Sequence, residues 1–263
     1  MKKLLFALQI SIILLSVASL SSCEEFIFNG IEGDGPIVSR EIETEKIEGI
    51  TLGIPETVYI TRGDIQRMTI EAQENIQNNI ECYNSDGLLK LKFNQPVLSS
   101  MPVIVRLTIQ SLKENTLTGS GSIITRNCFE TTGQLRINIS GSGDIDLNAN
   151  AQSVKILISG SGNLKLITNT NQIDAEINGS GDINLQGGYS GLSQFYLSGS
   201  GNINGYALNS KSCNIEAYGS GNAKLTISEI LNIKIFGSGD VYYKGNPAVS
   251  AKIGGSGKVI NVN

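Results

Sequence analysis

Along the second half of the chain, apolar and polar positions alternate one for one, in blocks that stop and restart at a regular interval. Leu135, Ile137 and Ile139 precede one Gly-Ser-Gly triplet, Val154, Ile156 and Ile158 the next, then Ile173, Ala175 and Ile177, and later Leu231, Ile233 and Ile235. The intervening positions are mostly polar, as with Asp174, Glu176 and Asn178. A period of two predicts a strand with one buried face. Four residues after the first glycine of each triplet the inward position returns, as Ile123, Ile145, Leu164, Ile183, Ile203, Ala223, Val241 and Val259. A second strand is therefore predicted after each corner.

The triplets start at Gly119, Gly141, Gly160, Gly179, Gly199, Gly219, Gly237 and Gly255, with spacings of 22, 19, 19, 20, 20, 18 and 18 residues. A period this steady means one structural unit per repeat, with the variation absorbed in loops. No unit of that length closes a core alone, so successive units must stack at the strand spacing of ~4.8 Å. The predicted fold class is all-β: a single-stranded parallel β-helix over residues 119–263, right-handed by the handedness of parallel crossovers. Glycine is expected at the corners both for positive φ and for close approach of stacked backbones. The serine and the Asp or Asn that follows the triplet are expected to bond locally to the backbone.

Residues 36–118 lack the triplet but remain strand-rich, with Thr57–Ile60, Met68–Glu71, Leu88–Phe93 and Pro102–Ile109 separated by Gly63-Asp64, Asp86-Gly87 and Pro96. They are read as a less regular N-terminal β region, either irregular rungs or a cap continuous with the column, since solenoids need atypical ends. Residues 23–35, rich in glycine and acid, are read as a flexible tether.

The start of the chain has a different character. Lys2 and Lys3, a mostly apolar run from Leu4 to Leu20, and Ser21-Ser22-Cys23 follow the order of an export signal over residues 1–22. The run is too short and too often interrupted by Gln9, Ser11, Ser16 and Ser19 to span a bilayer, which needs about 20 apolar residues. Leu20-Ser21-Ser22-Cys23 resembles the lipobox of bacterial lipoproteins, which implies lipid attachment at Cys23 and membrane anchoring through it.

Composition narrows the function. The formal charge is −4, and loss of Lys2 and Lys3 would deepen it to −6, which argues against a nucleic-acid partner. The chain has no histidine, the commonest general base and metal ligand. Three cysteines besides Cys23 include no C-x-x-C pair, so a disulfide framework is not expected, with a single bridge left open. Cys213 falls in an inward slot as a small core residue; Cys82 and Cys128 have no assigned role.

The position after each triplet forms a ladder of Ser122, Asp144, Asn163, Asp182, Asn202, Asn222, Asp240 and Lys258. One carboxylate per rung does not surround a calcium ion, so the ladder is read as corner hydrogen bonding, with no metal and no cofactor. Asp144 and Asp182 would lie about 10 Å apart on a convex edge without a cleft, a poor glycosidase pair. The chain is not expected to be an enzyme, although a fold alone never decides this.

The Ser-Gly-Ser-Gly-Asp-Ile repeats at 140–145 and 178–183, with a variant at 236–241, resemble a family of Bacteroidetes lipoproteins named putative auto-transporter adhesins with a head GIN domain. Val58–Asp64 and Val241–Pro247 carry the same resemblance, which spans roughly residues 36–260. It implies a right-handed β-helix in the cell envelope, an outer-membrane lipoprotein facing either the cell surface or the periplasm. Glu24-Glu25 resembles the acidic surface-export signal of that phylum, with an ordinary solvated tether as the alternative.

The alternation also points Tyr196, Tyr218 and Phe236 outward on successive rungs. Tyr218 and Phe236 share a register and should stack about 4.8 Å apart, with Tyr196 displaced by two residues. This trio is the candidate contact for a glycan or protein ligand; coverage by another part of the chain or by a second subunit, or a purely structural ladder, is the competing reading. The expected function is a non-catalytic, adhesin-like binding module, with a structural envelope spacer as the alternative and a polysaccharide-active enzyme as the more remote one.

Overall fold

A computed structural model describes residues 29–263 of the chain. Cys23 and the export and lipobox sequences lie outside the described residues. From residue 129 onward the repeats fold as successive long strands, Phe129–Ile139, Asp144–Ile158, Leu164–Ile177, Ile183–Leu197, Ile203–Ala217 and Ala223–Ile235, each parallel to the next. The chain is a parallel β-solenoid.

The two strands expected in each rung are in fact one, bent but unbroken. In Leu164–Ile177 the inward residues Leu164, Leu166, Thr168 and Thr170 give way to Ile173, Ala175 and Ile177, so the alternation slips at Asn171-Gln172. Two outward residues in succession turn the strand; pairing to the following rung carries through the bend, Thr170 with Ser190 and Gln172 with Leu192, while pairing to the preceding rung pauses between Ile167 and Gln172. Longer repeats absorb their extra residue within the strand, with register breaks at Leu166/Ile167 and Gly205/Asn209.

Matching inward residues stack along the column. Leu117, Ile139, Ile158, Ile177, Leu197, Ala217 and Ile235 pair rung to rung, and none is more than 2% exposed. Each such Leu or Ile contributes about 1.5–3 kcal/mol through burial. Cys213 occupies its inward slot between Ser193 and Leu231 and is fully buried.

The corner glycines serve one of their two expected purposes. Positive φ occurs at Gly35, Gly87, Gly133, Gly188 and Gly245, and at no glycine of a triplet. Close approach is what demands them: a Cβ on Gly181 would lie 1.9 Å from the Gly162 carbonyl oxygen, and one on Gly160 2.2 Å from that of Gly141. The triplet backbones pair directly, with the Ser161 N–H donating to the Gly141 carbonyl at 3.1 Å and Ser180 repeating the contact to Gly160.

The N-terminal region both continues the column and caps it. Gly49–Leu52 and Thr57–Arg62 form the rung beside Glu114–Leu117 and Ser122–Thr125, all parallel. Leu88–Phe93 and Ile104–Ile109 make one further parallel rung outside it. Beyond these, Ile80–Ser85 and Arg67–Gln73 run antiparallel, and Ile37–Glu41 is the outermost of the described strands in its column. Chain order and spatial order therefore differ, because the strands at 67–85 lie outside those at 88–109. Gln77, on the short helix Glu74–Asn79, binds this end together by donating to the Val38 carbonyl at 2.6 Å and the Ile70 carbonyl at 2.9 Å.

The tether expected over residues 23–35 gives way to packed structure at its described end. Ile31–Glu32 pairs with Val97–Ser99, and the Asp34 N–H donates to Asn75 Oδ1 at 3.0 Å. These backbone bonds hold a segment that glycine content alone marks as loose.

Candidate functional site

Strand alternation sends every second side chain outward, and parallel register places these in rows along the column. One row on the face before the corners runs Leu157, Glu176, Tyr196, Glu216, Lys234 and Lys252. Two residues back along each strand runs a second row of Lys155, Asp174, Gln194, Asn214, Asn232 and Ser250. Two residues forward, just before the corner, lie Tyr218 and Phe236.

The three rings meet on this face. Tyr218 and Phe236 have centroids 4.9 Å apart with planes 19° apart, and Tyr196 lies 5.2 Å from Tyr218 at 42°. Flat contact would bring rings to roughly 3.5 Å, so at 4.9 Å the Tyr218 and Phe236 rings overlap like offset tiles and each keeps part of its face open. Tyr196, Tyr218 and Phe236 are 39%, 44% and 40% exposed, so no described part of the chain folds over them. Past Phe236 the row continues with Gly254, which has no side chain of its own to cover the outer side of that ring.

Charge on the face is paired around one carboxylate. Glu216 accepts from Lys234 Nζ at 2.7 Å and from the Tyr218 hydroxyl at 3.2 Å. The Lys234 ammonium holds the Glu216 carboxyl below its ordinary value, while reduced hydration and then the Glu216 charge push the Tyr218 phenol up. Tyr218 is thus a fixed hydrogen-bond donor at neutral pH, its ring orientation set by a salt-bridged partner.

Beside Tyr196 the face dips into an open groove of about 410 Å³, bordered by the polar Lys155, Asp174, Gln194 and Asn214 and by the apolar Leu157 and Phe195. Asp174 accepts from Gln172 Nε2 at 2.9 Å and Gln194 Nε2 at 2.6 Å, so the groove floor carries oriented amides and carboxylates. Sequence reasoning identified the three rings and missed this groove. Its signal was available as a run of Asp, Gln and Asn on successive rungs at the position five residues before the triplet.

The remaining chemistry is structural. The edge expected to lack a cleft has a second open concavity of about 380 Å³, and Asp144 and Asp182 both border it with Asp146, Asn163 and Lys165. The Oδ1 atoms of Asp144 and Asp182 are nevertheless engaged along the column, accepting from Asn163 and Asn202 on the next rung at 2.9 Å and 3.0 Å from the side-chain amides. The corner residues thus bond along the column, from rung to rung, where local turns were expected. The triplet serines are exposed, and their hydroxyls take part in none of the described hydrogen bonds. Among the described residues no three His, Cys, Asp or Glu side chains gather as a metal site. Burial pushes the thiols of Cys82, Cys128 and Cys213 up, which makes each a poor nucleophile.

Comparison with known proteins agrees with the fold. The model of the family described as putative auto-transporter adhesin, head GIN domain, matches residues 46–188 and 155–247. A crystal structure of a putative adhesin from Parabacteroides merdae superposes with a TM-score of 0.81 at 24% identity, over 89% of this chain and 99% of that one. A putative adhesin from Parabacteroides distasonis gives 0.82 at 21% identity, over 88% and 99%. A protein of the latter species described as a putative lipid binding protein gives 0.81 at 25% identity, over 89% and 99%. No curated protein matches the chain.

Proposed function

The chain belongs to the putative auto-transporter adhesin, head GIN domain family, and on that premise we propose that it is a non-catalytic, envelope-displayed binding module whose ligand is a glycan. One observation carries the reading: three part-exposed aromatic rings in a ladder beside a groove of fixed amides and carboxylates. Sugars present apolar C–H faces flanked by hydroxyls, and such a surface meets both, with rings for the faces and Asp174, Gln194 and Asn214 for the hydroxyls. A relative carries a lipid-binding name; the groove here sets apolar Leu157 and Tyr196 beside the hydrogen-bonding Lys155, Asp174, Gln194 and Asn214, a mixture that matches the apolar faces and hydroxyls of a sugar better than an acyl chain alone.

Display follows from the proposed lipidation of Cys23 after removal of residues 1–22, which would anchor the solenoid to a membrane by its N-terminal end. Cys23→Ala should move the protein from the membrane to the soluble fraction. Retention of that variant in salt-washed membranes would overturn the anchor.

Binding is tested with the double variant Tyr218→Ser, Phe236→Ser, compared with the parent on glycan arrays and on immobilised matrix proteins. Loss of glycan signal by a variant with an unchanged melting curve supports the proposal. Unchanged glycan binding removes the ladder as the site, and no glycan binding by the parent leaves the spacer role as the better account.

A further inference from the structure

The column is bare at its last described rung. Val249, Ala251 and Ile253 continue the inward register of Leu231, Ile233 and Ile235. Those three partners are at most 2% exposed, whereas Val249 and Ile253 are 42% and 48% exposed. Among the described residues Ala248–Ile253 pairs only with Ala223–Ile235, and Val259–Asn261 only with Val241–Lys244, so each leaves one backbone edge open there. Core side chains and strand edges exposed together form a surface built to receive another strand layer.

The opposite end offers such a layer in the same columns. Among the described residues Ile37–Glu41 is an edge strand, with Ile37 and Val38 44% and 39% exposed. It runs antiparallel to Arg67–Gln73, which runs antiparallel to Ile104–Ile109, so it points along the common strand direction. Its column is the one that finishes at Val259–Asn261. The second edge of that end, Ile80–Ser85, heads the column that finishes at Ala248–Ile253.

Charge selects how copies would meet. Residues 241–263 contain Lys244, Lys252 and Lys258 and no acidic side chain, whereas residues 29–45 contain Glu32, Asp34, Glu41, Glu43 and Glu45 against Arg40 alone. Like ends repel and unlike ends attract. We propose that the C-terminal rung docks onto the N-terminal cap of a second copy of this chain, head to tail, extending the sheet from one molecule into the next. Such a contact is heterologous and leaves a free end at each extremity, so it builds dimers and then longer rows.

Analytical ultracentrifugation of the purified full-length chain and of two end variants tests this. Val38→Asp spoils the acidic end and Ile253→Asp the basic end, both at exposed positions, with thermal melts to establish that each folds. The parent should grow beyond a dimer with concentration, and raising the salt from 50 to 500 mM should weaken that growth at least severalfold. Each variant alone should stay monomeric, and an equimolar mixture should recover a dimer and nothing larger, because one intact end of each kind remains. Dimers of Val38→Asp alone would mean that like C-terminal ends pair and would overturn the proposal. A parent that stays monomeric at low salt would overturn it too, leaving the bare rung to a different protein.

Discussion

The Asn202 backbone N–H donates to the Asp182 side chain at 2.7 Å, across the boundary between two rungs. The same contact links Asp182 to Asn163 at 3.0 Å, Asn222 to Asn202 at 2.9 Å, Asp240 to Asn222 at 2.9 Å and Lys258 to Asp240 at 2.8 Å. A short polar side chain stands in for a backbone carbonyl where the corner turns the peptide groups out of sheet geometry. Asp182→Ala strands the Asn202 N–H in a half-buried site and should cost about 1 kcal/mol, while Asp182→Asn keeps the acceptor and should cost about half that or less. Denaturant melts decide it: equal losses for the two variants would mean that the side-chain acceptor contributes nothing.

The corner glycines make a sharper contrast. A Cβ on Gly181 would meet the Gly162 carbonyl oxygen at 1.9 Å, whereas one on Gly254 finds nothing closer than 3.4 Å, at the edge of the Phe236 ring. Gly181→Ala must separate two rungs and should destabilise by several kcal/mol; Gly254→Ala should stay within about 0.5 kcal/mol. Since φ at Gly181 is not positive, Gly181→Asn should be no better tolerated than Gly181→Ala. A melting temperature for Gly181→Asn close to that of the parent would show that conformation, not space, demands the glycine.

These two contacts mark what the sequence could and could not convey. The repeat and the alternation are written in residue types, so the solenoid, its inward ladder from Leu117 to Ile235 and the outward aromatics were all readable. The mid-rung bend at Asn171-Gln172 was not, because it arises from a slip in alternation with no glycine or proline to announce it. Nor was the cap. Arg67–Gln73 and Ile80–Ser85 read as strands, but their antiparallel placement outside Leu88–Phe93 and Ile104–Ile109 depends on contacts between residues far apart in the chain. The groove beside Tyr196 falls between these cases, since its residues lie in register but become a concavity only through the relative sizes of neighbouring side chains.

Asn115 breaks the inward pattern it belongs to. It sits four residues before its triplet, stacked between Ile50 and Ile137, and is fully buried. Among the described residues neither its amide nitrogen nor its amide oxygen has a hydrogen-bond partner. Burying an unpaired amide costs about 1–3 kcal/mol, so Asn115→Leu should raise stability by a similar amount, less any strain from the larger side chain. A rise in melting temperature checks this; a fall would mean that the amide holds a contact needed by the fold.

Glu48 ties the cap rung to the first repeat through charge. Its carboxylate accepts from Lys113 Nζ at 2.7 Å and Lys46 Nζ at 2.6 Å, and the Lys113 N–H donates to the Glu48 carbonyl in parallel at 2.6 Å. The two ammonium groups, Lys113 foremost, lower its pKa from 4.5 to about 2. A carboxylate held down in the fold binds its proton more readily when unfolded, so stability falls as pH drops from the unfolded value toward the folded one. The Glu48 side chain is 25% exposed, which leaves water to screen part of the attraction and limits its contribution to the order of 1–2 kcal/mol. The stability difference between the parent and Glu48→Gln should therefore be constant above about pH 5.5, shrink below the unfolded carboxylate pKa of about 4.3 and vanish near pH 2. At neutral pH, 0.5 M salt should reduce the same difference, because the pair is only partly shielded from ions. A difference that persists unchanged down to pH 2 would assign the effect of Glu48→Gln to packing, and remove the ion pairs from the forces that hold the cap to the column.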